Sequence, residues 1–134
     1  MEKVKYYTEQ IKSSFPDLNI TSMELNPDGQ YNDVLVVNDA LIFRFAKVPD
    51  AIETLEKEMS LLCFLQNRIT LPIPNPTYVC LDAKNIGEVF VGYPLIPGIP
   101  LWRKNFHKIT DDGTKQHLAK QLARFLKELH QIPV

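Results

Sequence analysis

Arg44 and Glu58 are the two residues whose chemistry conflicts with the pattern around them. In the apolar run of residues 40–45, strand alternation puts Ile42 and Arg44 on one face and Leu41, Phe43 and Phe45 on the other. Arg44 is thus a fixed charge inside a segment that otherwise wants burial. A buried guanidinium is costly unless paired, so its position asks for a carboxylate. Glu58 falls in line with Leu61, Leu62 and Leu65 at the spacing of one helix face, and interrupts that stripe as Arg44 interrupts the strand. If the two meet, the carboxylate holds a planar cation that can offer phosphate oxygens a bidentate contact. The alternative has Arg44 snorkelling to solvent and Glu58 as one more surface acid beside Glu53, Glu56 and Lys57.

These residues need a hairpin and a helix to position them. Asn38-Asp39 lies between the apolar runs 34–37 and 40–45, and both residue types tolerate the left-handed angles of a tight turn. Residues 50–66 read as a helix, with Pro49 before it and Asp50 suited to cap it. Upstream, residues 3–14 fit a short amphipathic helix through Val4, Tyr7 and Ile11, and 18–25 a first strand. The Asn26-Pro-Asp-Gly29 turn leads into the hairpin, with Gly29 supplying backbone freedom.

After the helix, three alternate prolines in 70–77 enforce an extended connection. Residues 77–81 and 88–93 read as a second hairpin, ended by the elbow of Pro94, Pro97 and Gly98. Residues 99–112 show no clean period. A last helix spans 114–130, with Leu118, Leu122, Phe125, Leu126 and Leu129 on one side. The expected fold class is α+β, with about five antiparallel strands and one packed helix.

Composition excludes several classes of function. The 134 residues suffice for one ordinary domain, and 45% hydrophobic with 23% charged residues is a globular balance. Net charge is -1 with both signs well mixed, which argues against a nucleic-acid partner. No apolar run reaches membrane-spanning length and no signal core opens the chain, so the expected compartment is the cytoplasm and no membrane partner is expected. Cys63 and Cys80 stand in apolar surroundings and are expected to be buried reduced thiols. There is no P-loop, no Gly-x-Gly-x-x-Gly, no Gly-x-Ser-x-Gly and no zinc spacing, so no metal site is expected. His107, His117 and His130 are isolated, and the helix dipole accounts for His130.

A strand cation held by a helix carboxylate, beneath a glycine-bearing hairpin, is how protein kinases hold nucleotide phosphates. Six segments in order strengthen that likeness. They are Gly29-Gln-Tyr-Asn-Asp-Val-Leu-Val-Val-Asn, Leu41-Ile-Phe-Arg-Phe-Ala-Lys, Leu55-Glu-Lys-Glu-Met-Ser-Leu-Leu, Leu71-Pro-Ile-Pro-Asn-Pro, Gly92-Tyr-Pro-Leu-Ile-Pro-Gly and Leu122-Ala-Arg-Phe-Leu-Lys-Glu-Leu-His. Together they resemble the aminoglycoside phosphotransferase family, a branch of the protein-kinase-like fold, and look closest to its 2''-phosphotransferases. Macrolide kinases have similar openings.

The resemblance implies a kinase-like N-lobe over residues 1–93, a hinge at 94–98, and over 99–134 a linker with the first helix of a second lobe. It implies that Gly29, Gln30, Tyr31 and Asn32 form the loop over a triphosphate. Arg44 takes the place of the phosphate-binding strand lysine and Glu58 that of its helix partner. Tyr93 would be the gatekeeper, or else simply a core aromatic ending a strand. The Pro94 carbonyl and the Ile96 amide would meet a purine edge. ATP or GTP with Mg²⁺ is the implied cofactor, and a bulky gatekeeper favours GTP. The acceptor would be a hydroxyl of an aminoglycoside.

The family's catalytic His-Gly/Asn-Asp loop and its magnesium-binding Asp-Phe/Leu-Gly strand are not found in these 134 residues. No catalytic residue is therefore assigned, the magnesium ligands are expected in a missing half, and the expected object is an inactive N-terminal fragment. Two other readings stand beside it. One is a non-catalytic module that self-associates through the 114–130 helix; the other is the same lobe from a macrolide or small-metabolite kinase.

Overall fold

Asn38 and Asp39 both adopt left-handed backbone angles, with φ of 57° and 51°, and the Ala40 amide closes the turn on the Val37 carbonyl at 3.0 Å; because Val37 pairs with Leu41, three residues and not two lie between the strands. The rest of the sheet is counted from this turn. A computed structural model, which describes residues 2–133, has the order α1 (Glu2–Ser14), β1 (Met23–Asn26), β2 (Asn32–Val37), β3 (Leu41–Ala46), α2 (Pro49–Leu65), β4 (Tyr78–Cys80), β5 (Phe90–Pro94), α3 (Arg103–His107) and α4 (Asp112–His130). The five strands form one antiparallel sheet, as expected, in the order β1-β2-β3-β5-β4. The chain divides into two units. The first runs up to Phe64 and includes Pro74–Leu95; the second comprises Leu65–Ile73 and the residues from Ile96 on.

In the first unit the two sheet faces have separate cores. Leu35, Val37, Phe43, Phe45 and Phe90 pack with Tyr7 and Ile11 of α1. Ala46, Val89 and Val91 pack with Ala51, Leu55 and Met59 of α2. The aromatic face is tight: Tyr7 stacks on Phe45 with ring centroids 4.0 Å apart. Phe43 lies over its cross-strand partner Gly92 so closely that a Cβ there would come within 2.5 Å of the ring.

A carboxylate is buried at the edge of this face. Asp33 occupies an inward position of β2 and is fully buried. Its Oδ2 accepts from the Tyr7 hydroxyl at 2.7 Å and lies 2.6 Å from the Lys3 ammonium, while Lys47 Nζ stands 3.1 Å from Oδ1. Burial by itself works to raise the pKa of Asp33, but the bonds from Lys3, Tyr7 and Lys47 outweigh it and hold the group below the ordinary carboxylate value.

Several elements differ from the reading of the sequence. The strand expected over 18–25 is confined to Met23–Asn26. Before it, the amides of Thr21 and Ser22 bond the Asn38 side chain, at 2.7 and 3.2 Å, and Asn38 Nδ2 donates to the Asn19 carbonyl. The turn residue thus takes the hydrogen bonds that a longer strand would use. Pro49 is the first helical residue rather than its predecessor, a place where a missing N–H costs nothing, and Asp50 sits in the first turn instead of capping it.

The stripe that α2 buries starts from Ala51, Leu55 and Met59 with Ile52 and Leu62 beside it; Leu65 is buried as well, and of the three expected leucines only Leu61 falls outside it. Adjacent helix positions diverge by about 100°, so Leu62 turns in and Leu61 is left 54% exposed. The same rotation carries Cys63 outward. It is exposed and Cys80 half-buried, both free, against the expectation of two buried thiols.

The second unit is helical. α3 was hidden in the aperiodic stretch before α4. α4 starts at Asp112 because the Asp111 carboxylate caps it, accepting from the amides of Gly113 and Thr114. Within the unit, Glu128 accepts from the Thr70 amide at 2.6 Å and from Arg124 at 2.9 Å, which ties the proline-rich connection to α4. No residue of α4 is fully buried: Leu122 and Leu126 are 58% and 41% exposed. Among the described residues, no helix is long and apolar enough to cross a membrane.

Two outcomes follow from the first unit. Gly92→Ala drives a methyl into the Phe43 ring and should lower unfolding stability by about 1–3 kcal/mol, read as a lower urea midpoint. The depressed Asp33 pKa means the unfolded chain takes up the proton first as pH falls. Its contribution is therefore full above the unfolded value of about 4 and is lost as pH drops through the native value. The wild-type urea midpoint should fall more steeply below about pH 4 than that of Asp33→Asn, which has no carboxylate to protonate.

Candidate functional site

Strand alternation and α2 packing together bring Arg44 and Glu58 into contact. Arg44 Nη1 lies 2.6 Å from Glu58 Oε1. The arginine projects from the same β3 face as Ala46, the face on which α2 packs. Glu58 sits between Leu55 and Leu62 in the helical spacing, at the margin of the buried stripe, so its carboxylate reaches the strand without entering the core. The side chains keep 21% and 32% of their surface. Burial disfavours the charge on Arg44, yet the hydrogen bond and charge of Glu58, with a smaller contribution from Tyr93, raise its pKa above the ordinary value. The result is a permanent cation, fixed in direction and still reachable from solvent.

Tyr93 stands opposite Ile42 across the β3–β5 ladder and so shares the face of Arg44. Burial raises the pKa of its phenol while Arg44 pulls the other way, and the hydroxyl stays protonated. Pro94 closes β5 opposite Leu41, and the next amide, Leu95 N, donates to the Ala40 carbonyl at 2.9 Å. Ile96 lies in the second unit.

The loop residues Gly29, Gln30 and Tyr31 connect β1 to β2, and Asn32 is the first residue of β2. Gly29 is required there by close approach, not by a positive φ: a Cβ would meet the Asn32 carbonyl oxygen at 2.5 Å. Asn32 Oδ1 is buried with no hydrogen-bond partner among the described residues.

Two groups of residues join this site that reading the sequence passed over. Val34 and Val36 face Arg44 and Ile42 across the β2–β3 ladder, and Val34, Val36 and Ile42 are all half-buried. Beside the cation they make an apolar floor that is not covered as the opposite face is. The alternation that singled out Arg44 already placed them there, since every residue between two buried ones lies on its face. Lys47 is the second omission. Its ammonium donates to the Pro27 carbonyl at 2.7 Å and its amide to the Tyr31 carbonyl at 3.0 Å. No period marks it, because it stands just past the end of β3.

A partly open guanidinium, an apolar floor and a glycine loop at one sheet face can hold a flat heterocycle with an anionic tail. Among the described residues, no cluster of three or more His, Cys, Asp or Glu side chains could hold a metal ion.

The GDP and kanamycin complex of APH(2")-IIia is 35% identical over 96% of this chain and 42% of its own, with a TM-score of 0.84. The GDP complex of wild-type aminoglycoside 2'-phosphotransferase-IIIa is 34% identical over 97% of this chain and 42% of its own, with a TM-score of 0.86. The streptomycin-ATP-APH(2")-IIa ternary complex, at 23% identity over 95% of this chain and 40% of its own, shares the fold with a TM-score of 0.76. The chain thus spans about two fifths of the length of these solved structures. No curated protein sequence matches it. The profile of the phosphotransferase enzyme family matches residues 22–134. Because that match runs through the glycine loop, Arg44, Glu58 and α4, and covers most of the sequence, the chain belongs to the phosphotransferase enzyme family.

Proposed function

We propose that this chain is the nucleotide-binding lobe of a kinase that transfers the γ-phosphate of GTP or ATP to a hydroxyl of an aminoglycoside. The observation that carries this is the partly exposed Arg44–Glu58 pair at 2.6 Å on a sheet face that also bears a half-buried apolar floor. In this reading residues 1–93 are the lobe, 94–98 the hinge and 99–134 the start of a second lobe. Kanamycin and GDP in the 35%-identical relative support an aminoglycoside acceptor and a guanine nucleotide. The bulk of Tyr93 supports the same nucleotide.

Each side chain then has a role. Val34, Val36 and Ile42 take one face of the purine, while the Pro94 carbonyl and Ile96 amide meet its edge. Arg44 contacts phosphate oxygens and offsets their charge, and Glu58 keeps the guanidinium aimed at them. The loop of Gly29, Gln30, Tyr31 and Asn32 lies over the triphosphate. In the transfer itself the bond from the γ-phosphorus to its bridging oxygen breaks, the acceptor oxygen forms the new bond, and the hydroxyl proton leaves to a base. Mg²⁺ bound with the nucleotide adds charge neutralisation.

None of the 134 residues is assigned as that base or as a magnesium ligand, so the chain by itself should bind and not turn over. A second reading rests on Leu122 and Leu126, which leave an apolar stripe of α4 open enough to self-associate. Light scattering separates the two: concentration-dependent dimers that Leu122→Glu abolishes would favour it.

Titration with a fluorescent GTP or ATP analogue tests the main reading. Arg44→Ala should weaken binding about tenfold or more with the thermal midpoint little changed, because Glu58 is exposed enough to be rehydrated. A loss of fold at unchanged affinity would make Arg44 structural. With kanamycin and Mg²⁺ present, the chain should release no nucleoside diphosphate. Measured turnover would refute the assignment of no catalytic base.

A further inference from the structure

The five residues between β1 and β2 are tied at both limbs to a single residue between β3 and α2, at one by its side chain and at the other by its backbone. Lys47 follows the last residue of β3, and its ammonium donates to the Pro27 carbonyl at 2.7 Å where the loop begins. Its amide donates to the Tyr31 carbonyl at 3.0 Å where the loop ends. The ammonium is also 3.1 Å from Asp33 Oδ1, a fully buried carboxylate. Asp33 in turn is held by Tyr7 and Lys3 of α1. Only 24% of the Lys47 side chain is exposed, which is low for a lysine and leaves its head little freedom.

Other loop contacts are few. The Asp28 amide bonds Asn26 Oδ1 at 3.1 Å, and the backbone folds so tightly that Gly29 has no room for a Cβ beside the Asn32 carbonyl. Among the described residues, the amides of Gly29 and Gln30 donate to no protein acceptor. Two adjacent main-chain donors held at a glycine turn are what an anionic oxygen needs, provided the turn keeps its shape before the anion arrives.

We infer that Lys47 is a positioning residue for the nucleotide: its ammonium, seated on buried Asp33, holds the Pro27 limb of the 27–31 loop while its amide holds the Tyr31 limb, in the form that receives phosphate oxygens. This rests on the nucleotide-binding reading above, and extends it from the cation that touches the phosphates to the cation that shapes their loop. The two lysine contacts differ in kind. Asp33 fixes where the ammonium sits, and Pro27 is what the ammonium then holds. Removing the ammonium leaves Asp33 its bonds to Tyr7 and Lys3, so the fold has other support while the loop loses its tie at Pro27.

Lys47→Met in the full 134-residue chain, which keeps the stem of the side chain and loses the ammonium, is the test. GTP affinity should fall about tenfold while guanosine affinity stays within about twofold, since only the phosphates use the loop. Without nucleotide, hydrogen exchange at the Gly29 and Gln30 amides should quicken while β3 and β5 keep their protection. Lys47→Arg should recover most of the GTP affinity. Should Lys47→Met fail to fold, Lys47→Ala, which also removes the tie to Pro27 but leaves room for water beside Asp33, gives the same comparison. Equal losses for GTP and guanosine, or no loss of either, overturn the inference while nucleotide binding stands. A wild-type chain that binds neither ligand overturns the nucleotide reading, and the role of Lys47 with it.

Discussion

A guanidinium can stand on a sheet face only if something answers its charge, and the answer decides how usable it is. Sunk fully in the interior, an arginine and its carboxylate lose more to desolvation than attraction returns. Fully exposed, the pair is worth about 0–1 kcal/mol and its geometry wanders. Arg44 and Glu58 sit between these limits, each mostly covered and neither sealed. That intermediate burial strengthens the 2.6 Å contact relative to a surface pair and leaves the cation open to a second anion. The carboxylate is not placed by the pair itself. Ala51, Leu55 and Met59 dock α2 against Ala46, Val89 and Val91, and the helix spacing then delivers Glu58 to the strand.

The sheet also has to keep its two faces apart. On one, Phe43, Phe45 and Phe90 close with Tyr7 and Ile11 into a filled core. On the other, Val34, Val36, Ile42, Arg44 and Tyr93 remain partly open beyond the edge of α2. One step along a strand exchanges these roles, so a slip of one residue would bury the guanidinium and expose the phenylalanines. The turn of Asn38, Asp39 and Ala40, with its left-handed pair, prevents this by pinning Val37 to Leu41, and with it Val34 to Arg44. Site chemistry and turn chemistry are therefore one constraint: a residue with no ligand contact sets which way Arg44 points.

What could be read in advance was what repeats. The turn, the alternation of β2 and β3, the second hairpin and the meeting of Arg44 with Glu58 all follow from periods of 2 or 3.6 and from the cost of an unpaired charge. Where a residue acts once and locally, the pattern was silent. Asn38 was legible as a turn former but not as the group that takes the amides of Thr21 and Ser22 from β1. Ala51 is too small to stand out as the start of a stripe, so only its C-terminal leucines were legible, and Leu61 was counted with Leu62 and Leu65 although it points away. Asp33 is a charge at an inward strand position, the same kind of anomaly as Arg44, and the rule that found a partner for one applies equally to the other. α3 and Lys47 have no period at all.

In the proposed nucleotide site, Asp33 and Arg44 are two charges on one hairpin that would serve one ligand from opposite faces. Asp33 precedes Val34, the cross-strand partner of Arg44, so the carboxylate and the guanidinium are one residue apart in register and point to opposite faces. Asp33 is satisfied through α1, by Tyr7 and Lys3, and Arg44 through α2, by Glu58. Each helix thus secures a different cation: α1 through Asp33 steadies Lys47 and the loop, and α2 steadies Arg44. An apolar residue at 33 would pack against Tyr7 at less electrostatic cost. It would leave the Lys47 ammonium without a seat, and the loop free to sample shapes in which the Gly29 and Gln30 amides diverge. The buried carboxylate is thus best explained as a gain in definition of that loop, obtained at some expense of stability.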